Sequence, residues 1–170
     1  MGALKLTTAS SGSVILNPAN TASDVTITVP ATTATMAING PAFSYYQSSS
    51  QTLSSATATK ITFTSSEFDT TSGMYASSRF TPTVAGYYQV NGAFAKPSGS
   101  TEMFMSVYKN GSEWKRGSDV SITSSATVSC IVYLNGSTDY IELYGYMGIG
   151  AATWNTSYGT YFQASMVRAA

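Results

Sequence analysis

Apolar and polar residues alternate in short runs along most of the chain, and no segment keeps an apolar period of 3.6 residues. From Pro41 onward these runs are rich in β-branched and aromatic residues and are separated by Gly, Ser, Asn and Asp. An apolar period near two residues, in runs separated by such turn-forming residues, is typical of β-strands. The pattern predicts an all-β domain with strands at 42–46, 59–63, 78–80, 87–94, 102–109, 113–116, 127–134, 140–146 and 160–167.

One turn is marked strongly. Asn110 and Gly111 stand between two strand-like runs, and both residue types tolerate the positive φ angles of a tight type I′ hairpin turn. Many short strands joined by turns of this kind indicate a β-sandwich or jelly roll rather than a parallel sheet.

Two strands are apolar on both faces. In 127–134, Val128, Val132 and the single cysteine Cys130 share one parity, while Ile131 and Tyr133 share the other. The strand at 160–167 behaves in the same way. A strand with one wet face has only one apolar parity, so we expect both faces to be covered, either by an overhanging loop or by packing about a threefold axis.

Charge is scarce and balanced: charged residues make up 9% of the 170 residues, with 8 basic and 8 acidic side chains and a net charge of zero. Soluble proteins average about 25% charged residues. No field of one sign is available to attract phosphate, so we do not expect nucleic acid to be a partner. Neither a membrane-spanning apolar run nor a secretory signal is recognisable, and we expect no membrane insertion.

The residue types needed for common catalytic sites are missing. The chain contains no histidine and one cysteine, which excludes a Ser-His-Asp triad, histidine metal ligands and an intrachain disulfide. The carboxylates are scattered singly, and we expect Asp69 and Asp139 to bind turn backbone. The sequence therefore predicts a protein that is not an enzyme and has no metal site and no cofactor.

The first forty residues differ from the rest. They contain no Phe, Trp or Tyr and only two charged side chains, Lys5 and Asp24. Such a segment buries too little apolar area to order itself alone. We divide the chain into a segment at 1–40, ordered by self-pairing or by another protein, and a head domain at 41–170.

Five blocks of the second part, in order, resemble the trimeric jelly-roll family of the complement first-component globular head and tumour necrosis factor. They are Phe68-Asp69 with Ser72-Gly73 and Tyr75, Phe80-Thr81-Pro82 with Gly86, Tyr88 and Val90, Tyr108 to Gly111, Leu134-Asn135 with Asp139 to Leu143, and Thr160 to Val167. The resemblance spans roughly residues 42 to 168. It implies a homotrimeric head with Gln89, Ile131, Tyr133, Tyr161 and Gln163 at or near the threefold axis.

The chain also departs from this family. No collagen-like Gly-X-Y repeat precedes Pro41; the stretch GSVILNPANTASDVTITVPATTAT instead resembles short β-rich stem segments of bacteriophage tail fibres. Some members of the jelly-roll family bind calcium, but this chain has no Asp-rich loop.

Two groups of residues are candidates for ligand binding. Trp114, Lys115 and Arg116 beside the hairpin turn combine an aromatic face with donors suited to a sugar; alternatively, Trp114 covers the sandwich edge. The connection at 147–159 carries Trp154 and Tyr158, and its length suggests a role in binding. Alternatively, it packs against a neighbouring subunit.

Together these features predict a structural virion protein of a tailed bacteriophage, located on the tail or capsid surface. It would be a trimeric short fibre or spike that joins other virion proteins through residues 1–40 and binds host cell-surface glycans. Three alternatives remain: a capsid decoration protein without receptor binding, a bacterial surface or spore-coat protein, and an enzyme acting on polysaccharide.

Overall fold

The computed structural model describes residues 4–7, 13–16, 40–71, 73–99 and 101–170. The chain divides into two compact units, Met1–Ala34 and Thr35–Ala170. In the first unit, β1 (Leu4–Thr7) pairs antiparallel with β2 (Ser13–Leu16). Most of the segment predicted as a stem or docking region, residues 1–40, lies outside the described residues.

The described part of the second unit consists of strands and loops, without a helix. Its strands are β3 (Ala42–Tyr46), β4 (Thr52–Leu53), β5 (Thr59–Lys60), β6 (Ser65–Asp69), β7 (Tyr75–Ala76), β8 (Arg79–Phe80), β9 (Gly86–Ala95), β10 (Thr101–Lys109), β11 (Ser112–Arg116), β12 (Val120–Thr123), β13 (Ser125–Leu134), β14 (Ile141–Met147), β15 (Ala151–Ala152) and β16 (Tyr161–Ala169). In the described ranges, no helix is long and apolar enough to cross a bilayer.

The strands form a β-sandwich. One sheet has five strands in the order β13-β9-β16-β3-β6, and the other has β11-β10-β14-β8-β7, with β12 added on β10 and β5 on β14. A short ladder joins β15 to β4. Every pairing is antiparallel, which confirms the all-β jelly-roll prediction.

Alternation along the strands builds the core between the sheets. In β13, Val128, Val132 and Leu134 are buried and Cys130 packs partly against them. An aromatic cluster fills one part of the core, where the ring of Phe43 lies 5.0 Å from Phe162, 4.9 Å from Phe80 and 4.7 Å from Tyr75. These rings pack in tilted or edge-on contacts, which aromatic pairs favour.

Glycine is required at one crossing point of the two sheets. A Cβ atom on Gly92 would meet the Leu143 side chain and come within 3.3 Å of Met105. Both neighbours are fully buried, so neither has free space to move into. The absence of a side chain at Gly92 therefore lets β9 and β14 approach each other.

The predicted strand at 59–63 is too long, because only Thr59–Lys60 joins a ladder. Beyond Lys60, glutamine side chains take over part of the backbone hydrogen bonding: Thr62 N–H donates to Gln51 Oε1 at 3.0 Å, and Gln47 Nε2 donates to the Thr62 carbonyl at 3.1 Å. Strand β6 was not predicted; it ends at Asp69, directly before the turn whose backbone Asp69 binds. The short strands β4, β7, β12 and β15 were not predicted; each has only two to four residues.

Candidate functional site

The five residues predicted near a trimer axis lie on one surface. They point outward from the five-stranded sheet, on the side away from the core, and we call this side the open face. Register places Ile131 opposite Gln89, Gln163 opposite Asn91 and Tyr161 opposite Ala93. The structure thus brings Gln89, Ile131, Tyr133, Tyr161 and Gln163 together, while their role in a trimer stays a prediction.

One half of the open face is apolar and exposed. Ile131 and Tyr133 are 55% and 41% exposed, and Tyr87 and Val167 are similarly uncovered. The rings of Tyr87 and Tyr133 lie 5.4 Å apart. Tyr87, Ile131 and Val167 line a groove of about 480 Å³ that continues along Arg168 to Ala170. No described segment of the chain covers Ile131 and Tyr133, so the overhanging loop considered as an alternative is not seen there.

The middle of the open face is polar but internally satisfied. Gln89 Nε2 donates to Ser129 Oγ at 2.9 Å and to Asn91 Oδ1 at 3.2 Å, and Ser129 Oγ also donates to Asn91 Oδ1. Gln163 Nε2 donates to Ser44 Oγ at 3.0 Å. These side chains already have hydrogen-bond partners. Burying them would therefore leave fewer polar groups unsatisfied than burying amides without partners.

The predicted hairpin is confirmed: Asn110 and Gly111 have φ angles of 53° and 82° and connect β10 to β11. Trp114 follows at a bulge, where the register shifts between Val107 and Tyr108. Its half-exposed ring has the ammonium groups of Lys109 and Lys115 at 5.8 Å and 5.6 Å from its centroid. Trp114 and Lys115 therefore form an aromatic and cationic pair at the surface.

Arg116 does not join this pair. Its guanidinium lies 3.8 Å from the centroid of Phe104 and donates from Nε to Glu113 Oε1 at 2.8 Å. The hydrogen bond to Glu113 raises the pKa of Arg116, and Arg116 with Ser106 lowers the pKa of Glu113. The Nε donor of Arg116 is therefore already used within the chain, which weakens the predicted role of Arg116 as a hydrogen-bond donor to a sugar.

Trp154 and Tyr158 form the second candidate group. Their rings meet edge to face at 5.4 Å, and Tyr158 is 71% exposed. The loop is anchored at Trp154, whose N–H donates to the Ala95 carbonyl at 2.7 Å and whose carbonyl accepts from Thr160 Oγ1 at 2.6 Å. Met147, predicted to begin this connection, is instead fully buried at the end of β14.

The two candidate groups lie at opposite ends of the head. Lys109, at the start of the hairpin turn, donates from Nζ to the Tyr133 carbonyl. The next residue, Leu134, pairs with Gly86 at the start of β9. The backbone N–H of Trp154 donates to the carbonyl of Ala95, at the end of the same strand. Ten extended residues span roughly 30 Å. Within one chain, the two groups are therefore too far apart to bind the same sugar residue.

The start of β3 identifies one of these two ends. The Pro41 carbonyl accepts from the Met166 N–H at 3.1 Å, and Met166 pairs with Tyr88 near the start of β9. The hairpin thus lies toward the end where the chain begins β3. The loop with Trp154 and Tyr158 lies at the other end, which we call the distal end.

Asp69 and Asp139 both bind turn backbone, as predicted. Asp69 Oδ1 accepts from Thr71 N–H at 2.7 Å, and Asp139 Oδ2 accepts from Asn135 N–H at 3.1 Å. Asp139 also receives Asn110 Nδ2 at 2.7 Å and Lys109 Nζ at 2.9 Å. Within the described ranges, no three His, Cys, Asp or Glu side chains cluster in a way that could hold a metal ion.

Sequence reasoning missed one charged cluster, formed by Lys60, Arg79 and Glu142. These residues are far apart in the chain and belong to three different strands. No local spacing or motif connects them, and only the sheet pairing brings them together.

No protein-family model and no curated protein matches this chain. Solved structures do. Murine APRIL is similar over 76% of this chain and 100% of its own, with 12% identity and a TM-score of 0.60. The globular domain of zebrafish complement 1qA covers 78% of this chain and 100% of its own, with 16% identity and a TM-score of 0.55. Eiger TNF from S. frugiperda covers 77% and 94%, with 8% identity and a TM-score of 0.58. At these identities the likeness concerns the fold alone: the head has a jelly-roll fold of the TNF and C1q type.

Proposed function

We propose that this chain is a structural protein of a tailed-bacteriophage particle, a short fibre or surface spike. Its jelly-roll head forms a homotrimer and binds repeated groups on the host surface, with glycans as the favoured class. It acts by binding and not by catalysis.

The observation that carries the proposal is the exposed apolar half of the open face. Ile131, Tyr133, Tyr87 and Val167 adjoin one another on the five-stranded sheet, in a chain with 9% charged residues. Contiguous apolar surface of this kind marks an interaction site in soluble proteins. Burying it against copies of itself supports a closed assembly, and the sequence resemblance to a trimeric family supports three copies.

The distal end supports the binding role. Trp154 and Tyr158 present adjoining aromatic rings on a loop fixed by backbone hydrogen bonds. Exposed aromatic faces stack on the apolar faces of sugar rings, and the indole N–H and phenol O–H supply polar contacts. Three such sites on one trimer would raise the apparent affinity for a repetitive surface by avidity. Trp114 with Lys115 is the second candidate contact.

Attachment to the particle is assigned to residues 1–40. Their resemblance to tail-fibre stem segments supports this assignment, and so does their lack of aromatic residues. The partners at that end would be other virion proteins on the tail or the capsid.

Light scattering on a size-exclusion column tests the assembly. We expect three times the chain mass of 17.9 kDa for the wild type and a folded monomer for Ile131→Asp, because a charge on the open face would be buried in the trimer. Ile122→Asp is the matched control, since Ile122 is an isoleucine 79% exposed on β12, outside the open face. A monomeric wild type, or equal dissociation by both variants, would contradict the proposal.

Location and recognition are tested on purified particles. An antibody against the head should label the tail or the capsid surface in electron micrographs. Particles carrying Trp154→Ala with Tyr158→Ala should adsorb to host cells more weakly than wild-type particles. If the particles are labelled but adsorb normally with this double variant and with Trp114→Ala, a decoration protein is favoured instead. If the antibody labels no particles, the virion assignment is refuted.

A further inference from the structure

Three charged side chains from distant parts of the head meet on the outer side of the larger sheet. Lys60 Nζ lies 2.7 Å and Arg79 Nε 2.8 Å from the same oxygen, Oε1 of Glu142. The Glu142 side chain is only 4% exposed, whereas Arg79 is 45% exposed. The carboxylate thus lies beneath two cations that reach the surface.

The cluster carries a net positive charge. Burial by itself raises the pKa of Glu142, but Lys60 and Arg79 more than offset this, so its pKa lies below the ordinary value. The hydrogen bond to Glu142 raises the pKa of Arg79. At neutral pH two cations therefore face one anion, which leaves a local charge of +1 in a chain whose net charge is zero.

Arg79 keeps most of its donors. It uses Nε for Glu142, and its guanidinium carbon lies 4.0 Å from the centroid of the Tyr140 ring. Among the described residues, neither terminal nitrogen has a hydrogen-bond partner, and Lys60 Nζ donates only to Glu142. The two terminal nitrogens form a fork that matches the two oxygens of a carboxylate or phosphate.

Lys60 and Arg79 line a pocket of about 410 Å³, together with Ser77, Thr81 and Met74. Ser77 and Ser78 form the turn between β7 and β8 with φ angles of 51° and 58°, a left-handed conformation that is unfavourable for residues with a side chain. Ser78 Oγ holds this turn in place, because it accepts from the Phe63 N–H at 2.8 Å and lies 3.3 Å from the Phe63 carbonyl, to which it donates. The pocket wall that carries Ser77 and Arg79 is therefore fixed.

We propose that this pocket binds a single oxyanion, the carboxylate of an acidic sugar or the phosphate of a polyol phosphate. The free fork of Arg79 and the Lys60 ammonium contact the anion, Ser77 and Thr81 add hydroxyl donors, and Met74 gives an apolar wall for the attached ring or chain. The pocket belongs to the sheet that does not carry the open face. It requires neither the trimer nor the virion assignment.

Titration of the full-length protein with sodium D-glucuronate and with glycerol 3-phosphate, followed by calorimetry, tests the site. Methyl glucoside is the neutral control. We expect saturable binding of at least one anion and none of the neutral sugar. Stronger binding of glucuronate identifies the acidic sugar as the source, and stronger binding of glycerol 3-phosphate identifies the polyol phosphate. No saturable binding of either anion would overturn the proposal.

Variants that should change the anion affinity in opposite directions locate the site. Arg79→Gln and Lys60→Gln should each weaken anion binding by about tenfold. Lys96→Gln, which removes a lysine that directly follows β9 in the other sheet, should leave it unchanged. Glu142→Gln removes the neutralising charge and should tighten binding severalfold. Melting temperatures confirm that each variant is folded; if Arg79→Gln does not fold, Lys60→Gln and Glu142→Gln decide. Equal effects of Lys96→Gln and Lys60→Gln, or weaker binding by Glu142→Gln, would overturn the proposal.

Discussion

Single aromatic side chains contribute very different amounts to stability, depending on where the sandwich places them. Phe162 is fully buried and contacts Phe43, Phe63 and Tyr75, whereas Tyr158 is 71% exposed. Phe162→Ala should lower the free energy of unfolding by about 3–5 kcal/mol because it leaves a cavity. Tyr158→Ala should change it by less than about 0.5 kcal/mol. Urea denaturation measures both, and similar losses would contradict the assigned core.

Asp139 makes stability depend on pH. Hydrogen bonds from Asn110 and Lys109 hold its pKa below the ordinary value of a carboxyl group. Since the folded-state pKa is the lower one, the stabilisation is fully present above the unfolded-state value of about 3.9 and is lost as the pH falls through the folded-state value. Asp139→Asn should therefore be less stable than the wild type at pH 7.

At low pH, wild type and Asp139→Asn should become more alike in stability. As the pH falls below about 3.9, the carboxyl group of unfolded Asp139 takes up its proton before that of the folded protein. The difference in urea midpoint between wild type and Asp139→Asn should therefore narrow. A difference that stays constant from pH 7 to pH 3 would show that the carboxylate charge does not stabilise this turn.

At the scale of elements, the β10–β11 hairpin depends on a side chain as well as on turn conformation. Asn110 Nδ2 donates to Asp139 Oδ1 at 2.7 Å, and Asn110 Oδ1 accepts from the Tyr140 N–H at 2.9 Å. Asn110→Gly keeps the positive φ angle but removes both bonds, and should lower the free energy of unfolding by about 1–3 kcal/mol.

Alanine at the same position separates the two contributions. Asn110→Ala loses the same hydrogen bonds and also forces an alanine to adopt a φ of 53°, which costs a further 1 kcal/mol or so. Chemical denaturation of the two variants gives the difference. Equal stability of Asn110→Gly and the wild type would show that the bonds to the neighbouring loop contribute nothing.

Elements with local chemistry were predictable from the sequence, and elements held by distant partners were not. Asn110-Gly111 specifies its turn by itself. By contrast, β4 and β15 exist because Leu53 and Thr52 pair with Ala151 and Ala152, about a hundred residues away, and the Thr153 hydroxyl accepts from Gln51 N–H at 2.9 Å. Two-residue strands of this kind have no periodicity to detect.

At the scale of the whole molecule, the same distinction applies to the candidate sites. The open face was predictable because alternation in β13 places Ile131 and Tyr133 opposite the buried residues Val128 and Val132. The cluster of Lys60, Arg79 and Glu142 was not, because its members meet only once three strands are in register. The opposite positions of Trp114 and Trp154 likewise follow from strand direction in the folded head and not from sequence spacing.

Assembly also couples to thermal stability. If the native head is a trimer, unfolding yields three chains, and mass action raises the melting temperature with protein concentration. With the usual unfolding entropy per residue, a hundredfold increase in concentration should raise the melting temperature by about 7 °C. Ile131→Asp should remove this dependence while retaining a cooperative transition, and Ile122→Asp, outside the open face, should retain it. Differential scanning calorimetry over that range measures the effect. A wild-type melting temperature independent of concentration would mean that the exposed apolar face remains in water, and the trimer would have to be abandoned.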